Sequence, residues 1–242
     1  MWRLSSNKSH KNPTTMNHTT TIQYTPNGYE CYYSPKTNSC EVTVKGYTSP
    51  DGKFVERGGP AHPEDKRIAS FSIKAVAELP IPIYPCTQSV RETFEDAILD
   101  KRDLLGTPIF RNTPQDANEK ILFANAFDVA QKIRAKMNIL GVNKLIVSLT
   151  PSFFAIVDCF AVDKDGTFWL MFCTDDNNPL LPERNLSLAA YILEAGQYIP
   201  TNATVRLGVW QLAHNPQKFI EIPNDRIAAR DFVINHILKT PF

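Results

Sequence analysis

The feature that most narrows the fold is a change of apolar period in the C-terminal half of the chain. From Pro114 to Leu140 apolar residues recur at helical spacing, and "KLIVSL" is then a buried-strand candidate. "FFAIVDCFAV" and "TFWLMFC" flank the turn "DKDG" as a hairpin, "LSLAAYILEAG" returns to helical spacing, and "TVRLGVWQLA" is extended again. A closing helix is expected from Asn224 to Lys239. The resulting order, helix, three strands, helix, strand, predicts an α/β protein with a mixed β-sheet flanked by helices, because each amphipathic helix needs a sheet face to cover.

Two helices precede the sheet. In "SVRETFEDAILDKRDLL", Ser89 and Glu92 stand at capping-box spacing, and Val90, Phe94, Ile98 and Leu104 recur roughly once per turn. For the second helix Thr113 is the expected cap and Pro114 the first helical residue. Ile121, Phe123, Ala124, Phe127, Ala130, Ile133 and Met137 form its apolar face, and Gly141 its stop.

Upstream the text changes character. Residues 1–20 are polar with almost nothing apolar and read as a flexible tail, with Met16 as an alternative start to Met1. Residues 21–80 hold short aromatic and β-branched runs ("TIQYT", "YECYY", "CEVTVKGYT", "RIASFSIKAV") and read as a small β-rich extension. The proline-rich "ELPIPIYP" marks a rigid connector, and residues 81–242 are expected to form the α/β domain.

Composition excludes several classes. With 43% hydrophobic and 21% charged residues among 242, the chain can bury a substantial core, and a net charge of +1 gives no whole-molecule attraction to polyanions. No apolar run reaches membrane-spanning length and the start lacks a signal-peptide core, so a cytoplasmic protein without a membrane partner is expected. The five cysteines show no CxxC spacing; Cys31 and Cys40 face each other across a hairpin or stay free thiols, and the free state is expected.

With an acidic residue, Asp158, on the second core strand, this order resembles the PD-(D/E)XK nuclease superfamily, especially its RecB-like branch. The resemblance spans roughly residues 144–213 and is densest in "AIVDCFAVDKDGTFWLMFCTDD" followed by "LSLAAYILEAG". It implies an αβββαβ restriction-endonuclease-like core. In such proteins two carboxylates on paired strands hold Mg²⁺, and a lysine steers the attacking water. With Asp163 to Gly166 as the turn and Val162 paired to Thr167, Asp158 falls opposite Met171 and Ile156 opposite Cys173, all on one face.

Carried over position by position, Asp158 matches the first metal ligand, Met171 stands where the second carboxylate belongs and Cys173 where the lysine belongs. Tyr191 matches the helical tyrosine, Ser187 replaces its glutamine partner and Ala155 the glycine that begins the hairpin. The resemblance therefore implies a degenerate nuclease-like protein with Asp158 and Tyr191 as vestigial site residues, no cofactor, and a role in binding nucleic acid or assembling a protein complex. Its rivals are an active Mg²⁺-dependent nuclease in which Asp175 or Asp176 joins Asp158, and a non-enzymatic structural or assembly protein.

Each sharper reading has a plainer counterpart. Asp158 is read as a solvent-facing or hydrogen-bonded aspartate, and Glu95, which could supply a further carboxylate to the site, as a helix-surface glutamate. Lys132, Arg134, Lys136 and Lys144 are candidate phosphate contacts, and a solvated helix face is the reading preferred for them. The aromatic residues Phe153, Phe154, Phe160, Phe168, Trp169 and Phe172 alternate along strands and are expected in the core.

Overall fold

The computed structural model describes the backbone of residues 22–24, 30–34, 39–48, 50–51, 54–56, 66–74, 87–149, 152–175, 180–195 and 199–237. Side chains are described at 50–51, 87–148, 153–175, 186–195 and 199–235. The expected tail, the "ELPIPIYP" connector and Asp176 lie outside the described residues.

The β-rich extension contains strands β1 (Ile22–Tyr24), β2 (Glu30–Ser34), β3 (Ser39–Thr48), β4 (Phe54–Glu56) and β5 (Lys66–Lys74), with antiparallel neighbours around β3. Across the β2–β3 ladder Cys40 lies opposite Tyr33 and Cys31 opposite Val42, so the two cysteines are not cross-strand partners.

The α/β domain begins with helices α1 (Gln88–Leu99) and α2 (Ala117–Lys136). Strands β6 (Met137–Leu149), β7 (Ser152–Asp163) and β8 (Phe168–Thr174), helix α3 (Leu180–Ala195), strands β9 (Val205–Gln211) and β10 (Lys218–Ile222) and helix α4 (Arg226–Phe232) follow, and the chain continues into a π-helical turn at Val233–Ile237. The sheet runs β10-β9-β8-β7-β6, with β8 and β9 parallel and the other pairs antiparallel. The expected α/β architecture with a mixed, helix-flanked sheet is present. Helix α3 and Val233 pack on one face, α1 and α2 on the other.

Local boundaries depart from the sequence reading for identifiable reasons. Helix α1 starts one residue before Ser89, with Thr87 as its cap, so Ser89 lies inside the first turn and no capping box forms. Asp100 ends α1 in the left-handed region (φ 50°), and Leu104, expected on the helix, stands in the following loop, fully exposed. Helix α2 is capped by Asp116, which accepts from Glu119 N, rather than by Thr113. Its last residue is Lys136, and Met137 already pairs with Asp163, so the sheet takes the residues that helical spacing assigned to α2. The buried face of α2 is Phe123, Ala126, Val129, Ala130 and Ile133; Ile121 is exposed.

Two polar links tie the layers together. Asn125 on α2 donates to the Leu212 carbonyl at 2.7 Å and accepts from Gln217 at 2.7 Å, joining the helix to the β9–β10 connection. Arg111 returns to α1, where Nε reaches both Asp96 oxygens at 3.0 Å and Nη2 reaches Glu95 at 2.8 Å. The segment after α1 is thereby strapped onto the helix it leaves.

Candidate functional site

The hairpin from Ser152 to Thr174 has a register one residue away from strict expectation. Val162 pairs with Phe168 and Cys159 with Met171, so Met171 faces Cys159 and not Asp158. The expected pairing of Val162 with Thr167 is corrected by the turn, and a second departure lies at the far end of the hairpin. At the turn, Thr167 is taken up by Asp163, whose backbone N donates to the Thr167 carbonyl at 3.0 Å and whose Oδ1 accepts from Thr167 N at 3.0 Å. Asp163 Oδ2 accepts from the Trp169 indole at 2.9 Å. That bond lowers the Asp163 pKa against desolvation, and the bonds from Thr167 and Asp165 and the Arg206 charge add to the lowering.

At the other end the strand inverts. Phe153, Ala155 and Val157 belong to the layer under α3, whereas Cys159 and Ala161 belong to the layer under α1 and α2. Strict alternation would keep these odd-numbered residues on one face. The break therefore lies at Asp158. Strand β6 inverts beside it: Val142 packs in the α1–α2 layer, Ile146 in the α3 layer, and between them Asn143 takes a left-handed φ of 48°. Asparagine tolerates that conformation better than most residues. The ladder runs Val142↔Cys159 and then Lys144↔Val157 across the inversion. Bulge-like kinks of this kind re-aim a side chain, and here the one re-aimed is Asp158.

Asp158 is fully buried. One carboxylate oxygen, Oδ2, accepts from Cys173 N at 2.9 Å; the other, Oδ1, is buried with no hydrogen-bond partner. Burial pushes its pKa up to about 7; the Arg91 charge and the Cys173 N–H oppose the rise, and the Glu95 charge adds to it. Of the two plainer readings, hydrogen-bonded and solvent-facing, the hydrogen-bonded one describes it.

Above Asp158 lies α1. Arg91 Nη1 and Glu95 Oε1 form an ion pair at 3.1 Å, with side-chain exposures of 9% and 8%. Glu95 is thus not a surface glutamate, as its helical position suggested, but a buried carboxylate shared between Arg91 and Arg111. Arg91 is the member of this group that sequence reading did not single out. Its only sequence signal is the i, i+4 spacing to Glu95, which on an exposed helix is commonplace.

The remaining candidates are dispersed. Tyr191 packs in the α3 layer, its ring 6.4 Å from that of Phe153, on the face of the sheet opposite Asp158. Asp175, just past β8, accepts from Thr87 N at 2.8 Å and so holds the start of α1. Lys132 pairs with Asp128 at 2.7 Å and also donates to Gln217, and Arg134 pairs with Asp100 at 2.8 Å. Lys132 and Lys136 lie one turn apart with Arg134 on another side, so the three do not form a single face. Lys144 is half-buried on β6. The aromatic residues of the hairpin are core as expected: Phe153, Phe154, Trp169 and Phe172 are buried, with Phe160 and Phe168 packed against them.

The donor set at Asp158 does not suit Mg²⁺. The sheet residues of its layer include Cys159, Met171 and Cys173, whose sulfurs are poor ligands for a hard divalent cation, and the second carboxylate near it, Glu95, is engaged by Arg91 and Arg111. The Cys159 thiol is pushed far above its usual range by burial and by Asp158, which makes it a poor thiolate ligand or nucleophile. Among the described residues no group of three or more His, Cys, Asp or Glu side chains is placed to hold a metal ion. No helix among them is long and apolar enough to cross a membrane. Comparison with family models, curated proteins and solved structures finds no match to this chain.

Proposed function

We propose that this chain is a catalytically degenerate nuclease-like protein that serves as a binding subunit, for nucleic acid or for a protein complex. The observation that carries the reading is the sealed Asp158 carboxylate. It stands on the second core strand, where the nuclease-like pattern has its first metal ligand, in a layer of apolar side chains that includes two thiols and a thioether, and the nearby Glu95 is held by Arg91 and Arg111. A catalytic Mg²⁺ site needs several oxygen donors and access for water and phosphate. Asp158 instead uses one oxygen to hold Cys173 N and lies beneath the Arg91–Glu95 pair.

In this reading the scaffold outlives the chemistry. The αβββαβ order, the hairpin and the acidic strand position are kept, and the buried α1 charges occupy the space over the sheet. Lys132, Arg134, Lys136 and Lys144 are the cations that would meet phosphates if nucleic acid is the partner, Lys132 and Arg134 by giving up their pairs with Asp128 and Asp100, and such contacts weaken as salt rises.

The test uses labelled duplex DNA, single-stranded DNA and RNA with Mg²⁺ or Mn²⁺. No cleavage is expected, and fluorescence anisotropy in EDTA reports any salt-dependent binding and its loss in Lys136→Glu. Cleavage that Asp158→Ala abolishes would make the protein an active nuclease, with Asp175 or Asp176 as the next ligand to examine. Absence of both cleavage and binding would leave protein assembly as its role.

A further inference from the structure

Where α1 covers the sheet, two buried carboxylates are served by one buried guanidinium. Arg91 Nη1 meets Glu95 Oε1 at 3.1 Å, and both charges act on the fully buried Asp158, Arg91 favouring its ionised form and Glu95 opposing it. Asp158 is turned toward this pair by the inversion of β7, and its Oδ2 is committed to Cys173 N at 2.9 Å. Oδ1 is buried with no hydrogen-bond partner.

The two carboxylates are unequally provided for. Glu95 has a second cation, Arg111 Nη2 at 2.8 Å, so it remains paired if Arg91 leaves. A neutral Asp158 tolerates a vacant oxygen, whereas an ionised one in an apolar layer draws the nearest cation that can move to it. The surrounding groups narrow the choice. On α1, Asp96 is held by Lys101 at 2.8 Å and by Arg111 at 3.0 Å. On the strands, burial keeps Cys159 a neutral thiol, and Cys173 meets Asp158 through its backbone. Lys144 on β6 stands two residues before Ile146 of the α3 layer, so strand alternation sets it on the opposite face. The α2 side chains in the Asp158 layer, Phe123, Ala126, Val129, Ala130 and Ile133, are uncharged. Among the described residues Arg91 is therefore the cation placed to answer a charge on Asp158.

We propose that Arg91 is a proton-operated latch, holding Glu95 while Asp158 is protonated and crossing to Asp158 Oδ1 when that carboxyl ionises, with Glu95 left to Arg111. The carboxyl O–H bond breaks, its proton goes to solvent, and no other covalent bond changes. Arg91 and Glu95 both belong to α1, whereas Arg111 lies in the segment that follows it. The exchange therefore moves the hold on α1 from a pair within the helix to one contact with the sheet below and one with the strap outside. Burial raises the Asp158 pKa to about 7, which places the exchange in the neutral range, with the Arg91–Glu95 pair on the acid side and the Arg91–Asp158 pair on the alkaline side. The latch needs no bound partner, so its test can fail while the binding-subunit reading stands.

The experiment is a pair of crystal structures of the full, unmodified chain, one at about pH 5 and one at about pH 8.5, on either side of the Asp158 midpoint. At acid pH the Arg91 guanidinium is expected within hydrogen-bonding distance of Glu95, and at alkaline pH within that distance of Asp158 Oδ1, with Arg111 on Glu95 in both. Asp158→Asn removes the ionisable group and keeps an acceptor for Cys173 N, and is expected to hold Arg91 on Glu95 at both pH values. The same Arg91 partner at both pH values in the unmodified chain, or an exchange that persists in Asp158→Asn, would overturn the inference.

Discussion

Asp158 and Cys173 are joined by a single hydrogen bond, Cys173 N to Asp158 Oδ2 at 2.9 Å, that crosses from the inverted segment of β7 to the regular strand β8. It takes the place that a ladder bond would fill if β7 alternated strictly. A carboxylate is thereby used as a structural element inside an apolar layer, which makes the fold sensitive to pH.

The direction follows from linkage. The Asp158 pKa is raised from 3.8 to about 7, so the folded state binds more protons than the unfolded one between those values. Stability is therefore greatest at the acid end of this window, falls as pH rises through it, and levels off above about pH 7. The difference corresponds to about 4 kcal/mol at the upper end. Urea unfolding from pH 5 to 8 is expected to show this decline, and Asp158→Asn, which keeps an acceptor for Cys173 N and cannot ionise, to flatten it.

Arg111 offers a test of the strap on α1. It meets Asp96, whose side chain is fully buried, and Glu95, while remaining 43% exposed itself. Arg111→Ala leaves those carboxylates short of a partner and is expected to cost about 2–3 kcal/mol, less than for a pair buried on both sides. Arg111→Lys should recover little, since a single ammonium cannot reproduce the two-nitrogen contact with Asp96 and Glu95. Denaturant midpoints of the two variants check this.

Gly208 on β9 is pressed by the opposite strand. A Cβ there would lie 2.3 Å from the tip of the Phe219 ring, and that ring is held between Trp210 at 4.8 Å and Trp169 at 5.8 Å between centroids. Gly208→Ala is expected to destabilise by about 1–3 kcal/mol through overpacking. Phe219→Leu, which shortens the side chain, should relieve part of that cost in the double variant, as a thermal melt of all three proteins would show.

Much of the architecture was legible because it is written in period. The succession of 3.6- and 2-residue spacing gave the element order from α1 to β9, and the hairpin aromatics were correctly assigned to the core. What period cannot show is where it breaks. The inversion at Asp158 lies beside Asn143 on the neighbouring strand, a meeting of segments remote in sequence, and the one-residue shift that sets Met171 against Cys159 is already present at the turn, where Val162 pairs with Phe168. Arg91 and Glu95 were obscure for a related reason: their spacing is that of any exposed helical pair, and only the packing of α1 against the sheet makes them buried. Strand β10 passed unnoticed because "KFIEI" is short, and among the described residues it pairs only with β9.

The central claim, that Asp158 is a sealed carboxylate and not a metal ligand, is tested most directly by following its carboxyl carbon by NMR as pH is varied, with and without saturating Mg²⁺. One titration is expected, with a midpoint of about 7 that Mg²⁺ leaves in place. A midpoint driven several units lower by Mg²⁺ would mean that the cation reaches Asp158 and competes with its proton, and would contradict the account.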